Sequence, residues 1–368
     1  MKYLSLFSGI GAFEKALNNI NIDYKLEGFS EIDKYAIKSY CTIHDVDESL
    51  NLGDITQIDI EKLPTDIDLI THGSPCQDFS VAGTNKGGDE GTNTRSSLMW
   101  NTVEIVKHCK PKYVIWENVK NVLSKKHKHN FELYLKALHD IGYKSYYKVL
   151  NAKNYGVPQN RERIFVVSIR RDLQQSFMFP NEWVLDKCLK DILEPNVDKK
   201  YNLMKSKDFY LRNSFTQEKE GNGFKFRAHI KNNANIASTI TTRAGSRMDD
   251  NYIIDIDLPY EYMEYTNNFL NKNNLMGEFE EIKNCDIRKL TPLECWRLMG
   301  FPDDAFYKAQ AVPTSNTQLY KQAGNSIVVN VLEEIFKKLF NKEGNSKKKC
   351  ERECIFSKRK YTCDNTYK

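Results

Sequence analysis

The stretch YLSLFSGIGAFEKAL, residues 3–17, contains the local pattern that decides the fold. An apolar run leads into a turn with two glycines, and apolar residues at helical spacing follow at Phe13, Ala16, Leu17 and Ile20. Glycine lets the backbone turn tightly and approach a ligand closely, here at the positive end of the helix that comes next. The stretch therefore predicts a strand, a ligand-binding turn and a helix, which together open an α/β sheet.

The same alternation of strand and helix continues through the first half of the chain. Apolar residues recur at helical spacing between the strands, as in the segments 98–109 and 131–141. Repeated units of this kind predict an α/β fold with a mostly parallel sheet and helices on both faces. The predicted strands are YLSLF at 3–7, KLEGFS at 25–30, DLIT at 68–71, YVIWEN at 113–118 and RIFVVSIR at 163–170.

The second half of the chain has a different character. Residues 196–285 are rich in Asn, Lys and Asp and show no sustained period, which predicts a small, loop-rich domain. Regular structure is expected again from about residue 290. There Thr291 is placed as an N-cap and Pro292 as the first residue of a helix. A last helix is predicted over 327–339 from its apolar face.

The formal charge of +5 over 368 residues comes from one end of the chain. Residues 341–368 hold nine Lys/Arg and four Asp/Glu, which leaves 45 basic and 45 acidic residues in 1–340. The folded body is therefore neutral, and a basic surface for nucleic acid would have to be local. The composition of the tail predicts a basic, disordered segment rather than a zinc site.

Targeting and redox features predict an intracellular protein. No apolar run approaches the length of a membrane span, and Glu14 and Lys15 come too early for a signal peptide. Nine cysteines in such a chain are expected to be reduced. We expect a soluble cytoplasmic protein that does not contact a membrane.

Acidic residues follow the second strand and a later turn. Glu31 ends the second strand, 20 residues past Gly11, where an acid can accept hydrogen bonds from both hydroxyls of a ribose. Asp54 follows another turn and is suited to an adenine amino group. Singly, these features are as common in ordinary turns; together they predict nucleoside binding, and at this point an NAD-dependent dehydrogenase remains open.

A cysteine on a rigid turn argues against hydride transfer. Cys76 follows Pro75 just after the third predicted strand, and a thiol so placed is a candidate nucleophile. Glu117 ends the neighbouring strand, and Arg161 and Arg163 come just before another. A buried structural cysteine is the commoner reading of Cys76 alone. Thiol, carboxyl and guanidinium groups that converge on one sheet edge are costly to desolvate without a function.

These residues belong to a series of eight motifs that resembles the DNA (cytosine-5)-methyltransferases of bacterial and phage restriction–modification systems. The resemblance covers about 3–170 and 287–336, and Ala12, where many members have glycine, is one departure. The motifs, in chain order, are FSGIGAFE, SEID, GDI, GSPCQDFS, ENV, QNRERI, RKLTPLECWRLMGFP and YKQAGNSIVVNVLEEI.

The resemblance implies a Rossmann-like sheet that binds S-adenosyl-L-methionine, with no metal. Its implied catalytic residues are Cys76 as the nucleophile toward cytosine carbon-6, Glu117 as the proton donor to N3 and Arg163 beside O2. Arg161 is grouped with them, although a supporting role for the active-site loop or the cofactor fits it better. The cofactor-binding residues that the resemblance implies are Phe7, Ser8, Gly9, Ile10, Gly11, Glu31, Ile32, Asp54, Ile55, Pro75, Asn325 and Ser326.

The resemblance also implies double-stranded DNA as the partner, with the target base flipped out of the helix. Glycines after the cysteine, at 83, 87, 88 and 91, are suited to a lid that closes over that base. A cognate restriction endonuclease would fit such a system, and we expect a monomer. DNA-binding candidates are Thr239, which starts a Thr-Ile signature, then Arg243 and Arg247, and more weakly Lys225 and Arg227.

The predicted organisation has four parts, and other functions remain open beside methylation of DNA. A tRNA-methylating branch of the family shares the chemistry, but its Cys-Phe-Thr motif is absent from the sequence. A nicotinamide-dependent oxidoreductase leaves Cys76 without a role, and an inactive DNA-binding regulator would be expected to lose it. The parts are a catalytic and cofactor-binding domain (1–170), a small domain (171–286) with target recognition at about 201–285, a return segment that completes the catalytic domain (287–340) and the tail (341–368).

Overall fold

A computed structural model of the chain describes residues 1–75, 95–203, 227–231, 234–247, 250–255 and 286–340. The strands are β1 (Lys2–Leu6), β2 (Lys25–Ser30), β3 (Leu69–His72), β4 (Tyr113–Val119), β5 (Tyr143–Asn151), β6 (Gln159–Asn160), β7 (Glu162–Arg170), β8 (Arg227–Ile230), β9 (Ala237–Ser238), β10 (Asn251–Asp255) and β11 (Asp286–Lys289). The α-helices are α1 (Ala12–Asn19), α2 (Lys34–His44), α3 (Met99–Cys109), α4 (Lys128–Asp140), α5 (Pro292–Arg297), α6 (Asp303–Ala311), α7 (Asn316–Asn325) and α8 (Val329–Phe340).

Six strands form the main sheet, in the order β2-β1-β3-β4-β7-β5. Neighbours from β2 to β4 run parallel, whereas β7 runs antiparallel to both β4 and β5. The prediction of an α/β sheet is confirmed. Strand β5 is not evident from the sequence, because this edge strand, YKSYYKVLN, is half exposed and has no apolar run to mark it.

Successive residues of the central strands face opposite sides of the sheet, and both sides are buried. On β4, Ile115 packs with Phe13 of α1 and Phe336 of α8, whereas Val114 and Trp116 pack in the core that α3 and α4 cover. A strand buried on both faces reads as a continuous apolar run, which is why β4 is evident from sequence. Helices on both faces are therefore confirmed.

The return segment carries the predicted helix start and further helices. Thr291 caps α5, and its hydroxyl accepts from the Glu294 N–H while the Glu294 carboxylate accepts from the Thr291 N–H. The last helix starts at Val329, two residues after the predicted start at Ile327, because the Leu332 N–H donates the first helical bond to the Val328 carbonyl; the Val329 N–H, which has no acceptor within the helix, donates to the carbonyl of Met299. Helices α6 and α7 were not predicted from the sequence.

A second sheet has the order β11-β10-β8. Residues 287–289, the first of the predicted return segment, lie on β11, which pairs antiparallel with β10 in this small sheet. A buried ion pair, Arg288 to Glu294 with both N···O distances 2.9 Å, fixes β11 against α5. No helix among the described residues is long and apolar enough to span a membrane.

Candidate active site

Strand direction brings the predicted catalytic groups to one edge of the main sheet. The parallel strands β1 to β4 all end at this edge, and β7 starts there because it runs the opposite way. In the register of β4 and β7, Val119 lies opposite Arg163 and Glu117 lies opposite Phe165. The end of one strand and the start of the other therefore place Glu117 and Arg163 side by side.

Glu117 and Arg163 form an ion pair in a nearly dry environment. The Arg163 Nε lies 3.2 Å from the Glu117 Oε1, and the two side chains are 18% and 11% exposed. Burial raises the pKa of Glu117, and the positive charges of Arg163 and Arg161 oppose that rise without cancelling it. The carboxyl group can therefore hold a proton at a higher pH than an exposed glutamate can, as a proton donor near neutral pH requires.

Arg161 has a different position from Arg163. It is buried, and its guanidinium donates to the carbonyls of Ile240, Gly324 and Ser326 at 2.8, 3.1 and 2.8 Å. These contacts connect the start of β7 with two segments far away in sequence. Arg161 is therefore positioned to hold the site together, which agrees with the supporting role and not with direct contact to a substrate.

The turn that leads to Cys76 is described only as far as Pro75; Cys76 itself and the glycines of the predicted lid lie outside the described residues. Ser74, just before Pro75, is buried and accepts from the Trp116 Nε1 at 2.9 Å through its hydroxyl. Its carbonyl accepts from the Asn118 Nδ2 at 3.1 Å. The residues on either side of Glu117 thus hold the start of the turn, and sequence reasoning did not single them out.

The glycine turn after β1 has the backbone that the sequence predicts. Phe7, Gly9 and Gly11 have φ of 53°, 57° and 79°, and no atom lies within 4 Å of where a Cβ on Gly9 would be. The Ser8 N–H donates to the carbonyl of Ser30 at 3.1 Å, which joins the turn to the end of β2. Such a turn leaves space for a ligand against its backbone.

His44, at the end of α2, contacts this turn and was not singled out from the sequence. The His44 Nε2 donates to the carbonyl of Ile10 at 3.0 Å, and burial lowers the pKa of His44. A Cβ at Gly11 would lie 2.1 Å from that nitrogen. Gly11 is therefore required both for its positive φ and for the close approach of α2.

Glu31 is held rigidly at the end of β2. Its carboxylate accepts from the N–H groups of Gly9, Ile32 and Asp33 at 2.9, 2.8 and 2.9 Å. Asn51, which the sequence analysis also missed, accepts from the Glu31 N–H at 3.2 Å and donates to the Glu31 carbonyl at 3.1 Å. The carboxylate is therefore fixed beside the glycine turn.

The remaining cofactor candidates lie around this acid. Ile32 is 72% exposed, an uncovered apolar side chain next to Glu31. Asp54 caps a short 3₁₀ turn by accepting from the Thr56 N–H at 2.9 Å, and Ile55 beside it is buried. At the end of α7, Asn325 is exposed and Ser326 is buried.

The return segment packs against the catalytic edge. A Cβ added at Gly73 would be 3.5 Å from the Ile327 Cδ1 and 3.7 Å from the Glu117 Oε2. On the other side, the Lys321 side chain pairs with Asp33, and the Gln322 Nε2 donates to the Tyr35 carbonyl at 3.0 Å. The end of α7 therefore lies between the turn at residues 73–75 and the segment that follows Glu31.

The Thr-Ile signature contacts the catalytic domain directly. Strand β9 pairs with β6, the Thr239 hydroxyl donates to the Asn160 carbonyl at 2.7 Å, and the Ile240 N–H donates to the Gln159 Oε1 at 2.9 Å. The buried Gln159 side chain also donates to the Leu298 carbonyl at 2.6 Å. Gln159 is the first residue of the QNRERI motif. A polar side chain in that motif, next to a buried strand, is the sequence feature that could have indicated its role in joining these segments.

The arginine candidates lie on and beside the next turn. Arg243 is exposed, and its carbonyl accepts from the Ser246 hydroxyl at 2.6 Å. The Arg247 N–H donates to the Asp250 Oδ2 at 2.9 Å, and its carbonyl accepts from the Tyr252 hydroxyl at 2.9 Å. Arg227 starts β8, and Lys225 lies outside the described residues. The turn is therefore well anchored and presents Arg243 outward.

The fold and the edge just described are those of a methyltransferase-type α/β domain, and comparison with known proteins identifies the family. The family model described as C-5 cytosine-specific DNA methylase matches residues 1–341. This chain belongs to that family of C-5 cytosine-specific DNA methylases.

Several characterised relatives align over nearly their whole length. The orphan methyltransferase M.SPRI of Bacillus phage SPR is 36% identical, covering 93% of this chain and 98% of the relative. The type II methyltransferase M2.ScrFI of Lactococcus lactis subsp. cremoris is 33% identical, with 93% and 100% covered. The type II methyltransferase M.HhaI of Haemophilus parahaemolyticus is 32% identical, with 91% and 93% covered.

Solved structures share the fold at lower identity. A mutant of DNMT2 from Spodoptera frugiperda superimposes with a TM-score of 0.70 at 22% identity and covers 92% of this chain and 99% of its own. The methyltransferase EhMeth of Entamoeba histolytica has a TM-score of 0.68 at 19% identity, with 92% and 98% covered. Likeness at this level of identity supports the fold and leaves the substrate to other evidence.

Proposed function

We propose that this chain methylates carbon-5 of a cytosine in duplex DNA at specific sites, using S-adenosyl-L-methionine and a covalent adduct through Cys76. The observation that carries the proposal is the buried Glu117–Arg163 pair, which lies at the edge where the turn leading to Cys76 begins. The same edge carries the glycine turn and Glu31. A proton donor, a cation and a nucleoside-type site would thus lie together at one edge of the sheet.

The residues present fit S-adenosyl-L-methionine. The open space over Gly9 suits the close approach of the methionyl part, and the fixed carboxylate of Glu31 suits the two ribose hydroxyls. The exposed Ile32 offers an apolar surface to an adenine ring, and Asp54 lies at the next turn. When bound, the cofactor supplies an electrophilic methyl group.

The protein groups have complementary tasks in this chemistry. Cytosine carbon-5 is a weak nucleophile, and addition of the Cys76 thiolate to carbon-6 would make it enamine-like. Glu117 would donate a proton to N3 as that bond forms, and Arg163 would hold the O2 side of the ring while it keeps Glu117 oriented. After transfer, loss of the carbon-5 proton and expulsion of Cys76 would restore the ring and the thiolate.

The DNA side of the proposal follows from the same geometry. A base stacked in a duplex cannot present its face to a thiol, so the cytosine must be flipped into the site. The turn with Arg243 lies next to the Thr239 segment that touches the catalytic domain. The phage and bacterial origin of the relatives supports a modification enzyme that acts on DNA in a bacterial cytoplasm. The monomeric state and a cognate endonuclease stay predictions from the sequence.

Methylation of DNA in cells that express the protein tests this proposal. Bisulfite sequencing is expected to show 5-methylcytosine at a defined sequence, and the Cys76→Ser variant is expected to bind the cofactor but transfer almost nothing, because a hydroxyl is a far poorer nucleophile. Duplex DNA with 5-fluorocytosine at the target should remain covalently attached to the wild-type protein. Methylation of tRNA with none of DNA would instead assign the chain to the tRNA branch.

A further inference from the structure

The turn before the nucleophile is connected to the strand that carries Glu117 through side chains that have no part in the reaction itself. Trp116 donates its indole N–H to the Ser74 hydroxyl at 2.9 Å, and Asn118 donates to the Ser74 carbonyl at 3.1 Å. The hydroxyl oxygen and the carbonyl oxygen of Ser74 thus accept hydrogen bonds from the two neighbours of Glu117.

Strand geometry explains why this arrangement is accurate. Successive side chains of a strand point to opposite faces, so Trp116 and Asn118 share one face while Glu117 points to the other. On one face of β4, Glu117 contacts Arg163; on the opposite face, Trp116 contacts Ser74. The position of the nucleophile turn relative to the carboxyl group is therefore set by three consecutive residues of β4.

The Trp116 ring is itself held in place. It stacks on the His72 ring with centroids 5.9 Å apart and 10° between the planes, and it lies 4.5 Å from the Tyr134 ring. The His72 Nε2 and the Tyr134 hydroxyl are hydrogen-bonded at 2.8 Å. Burial lowers the pKa of His72 to about 3, so this ring remains neutral and can stay stacked throughout the working pH range. Trp116 therefore has little freedom to move its indole N–H.

We propose that Trp116 and Ser74 are positioning residues for methyl transfer: their hydrogen bond sets where the turn that carries Cys76 lies relative to Glu117. The inference rests on the proposed function. A displacement of about 1 Å in such a site can lower a reaction rate on the order of 10²-fold. Loss of the bond should therefore slow formation of the covalent adduct far more than it weakens binding of S-adenosyl-L-methionine, because the glycine turn and Glu31 belong to other segments and only Pro75 among the cofactor candidates lies on this turn.

The test is the rate at which each variant is trapped on DNA with 5-fluorocytosine at the target, under single-turnover conditions. Each progress curve is normalised to its own trapped endpoint before the rate constant is fitted. Poor folding of a variant then lowers the endpoint and leaves the rate constant unchanged. Ser74→Ala and Trp116→Phe are each expected to lower the rate constant about 10-fold or more, with a much smaller change in equilibrium binding of S-adenosyl-L-methionine. Because both variants lose the same bond, the double variant should be no slower than the slower single variant.

Ser168→Ala is the matched control. It removes a buried hydroxyl that is hydrogen-bonded to Ser145 at 2.7 Å in the same sheet, away from the nucleophile turn. We expect lower stability and an unchanged normalised rate constant. Wild-type rate constants in both Ser74→Ala and Trp116→Phe would overturn the positioning role, as would a fully additive loss in the double variant. A wild-type protein that is not trapped at all would overturn the proposed function instead.

Discussion

At the scale of single residues, Glu117 combines burial with a neighbouring charge. Burial raises its pKa, and Arg163 and Arg161 work in the opposite direction. The proton donor is the protonated carboxyl, so the transfer rate should fall as the pH rises through this raised pKa. This fall should occur at a higher pH than it would for an exposed glutamate. We expect Glu117→Gln to reduce the single-turnover rate constant roughly 10²–10⁴-fold and to abolish that pH dependence.

The control for Glu117 is its near neighbour on β7, Glu162. Glu162 pairs with Lys120 at 3.0 Å, and both side chains are well exposed, so this pair contributes little to stability. Glu162→Gln should keep the wild-type rate constant and pH profile. If Glu117→Gln weakened DNA binding as much as it slowed transfer, Glu117 would be a binding residue and not an acid.

Arg243 and Arg247 give a second prediction at this scale, about DNA sequence preference. An arginine that reads a guanine edge contributes roughly 1–3 kcal/mol of discrimination at one position, whereas a phosphate contact weakens all sequences alike. We expect Arg243→Ala or Arg247→Ala to change which sites are methylated, as measured by bisulfite sequencing of a whole genome. An unchanged set of sites with slower methylation and a smaller salt dependence would show that the turn is a phosphate clamp.

At the scale of elements, one glycine determines the contact between α7 and residues 239–242, which are called the recognition segment after their proposed role. A Cβ on Gly324 would lie 2.2 Å from the Thr242 nitrogen and 2.3 Å from the Thr241 carbonyl carbon, both backbone atoms that cannot move aside cheaply. Alanine in a helix gains at most about 1 kcal/mol over glycine, so the clash decides the sign. We expect Gly324→Ala to lose DNA affinity and site preference and to lower the thermal midpoint.

The comparison for Gly324 is Gly142, whose φ is +101° but whose Cβ position has no atom within 4 Å. Gly142→Ala carries a conformational cost without a clash and should lower stability alone. If Gly324→Ala bound DNA like the wild type at a temperature where both are folded, the recognition segment would tolerate a wider spacing from α7 than the structure has.

At the scale of the whole molecule, Arg161 joins three parts that lie far apart in sequence. Its guanidinium serves the carbonyls of Ile240 in the recognition segment and of Gly324 and Ser326 at the end of α7. Lysine lacks the planar fork and cannot reach all three, and each buried carbonyl left without a donor costs about 1–3 kcal/mol. We expect Arg161→Lys to weaken S-adenosyl-L-methionine binding and DNA binding together, each about 10-fold, as measured by calorimetry.

Arg171→Lys is the control for this substitution. The Arg171 guanidinium also donates to backbone carbonyls, those of Tyr143 and His139 at 3.3 and 2.5 Å, but away from the catalytic edge. It should leave both affinities unchanged. A loss in Arg161→Lys that affected only one ligand would mean that the two sites are held independently.

Local features of the sequence determined much of this protein. The apolar runs of β1, β2 and β4, the glycine turn between Phe7 and Gly11 and the Thr291 cap are where the sequence predicts them. Each depends on neighbours in the chain, through side-chain period, backbone freedom or a cap within one helical turn. The meeting of Glu117 and Arg163 is not among these local features, because Glu117 is near the end of β4 and Arg163 is near the start of β7, and these positions would lie at opposite edges of a parallel sheet.

Only the tertiary structure decided what depends on residues far apart. The edge strand β5 is ordered by its pairing with β7, and the antiparallel direction of β7 is what brings Arg163 to the ends of the parallel strands. The three carbonyls of Arg161 and the Trp116–Ser74 bond likewise join segments that no local pattern relates. Periodicity and propensity report the conformation of a segment, whereas a buried hydrogen bond depends on which two segments the packed core brings within about 3 Å.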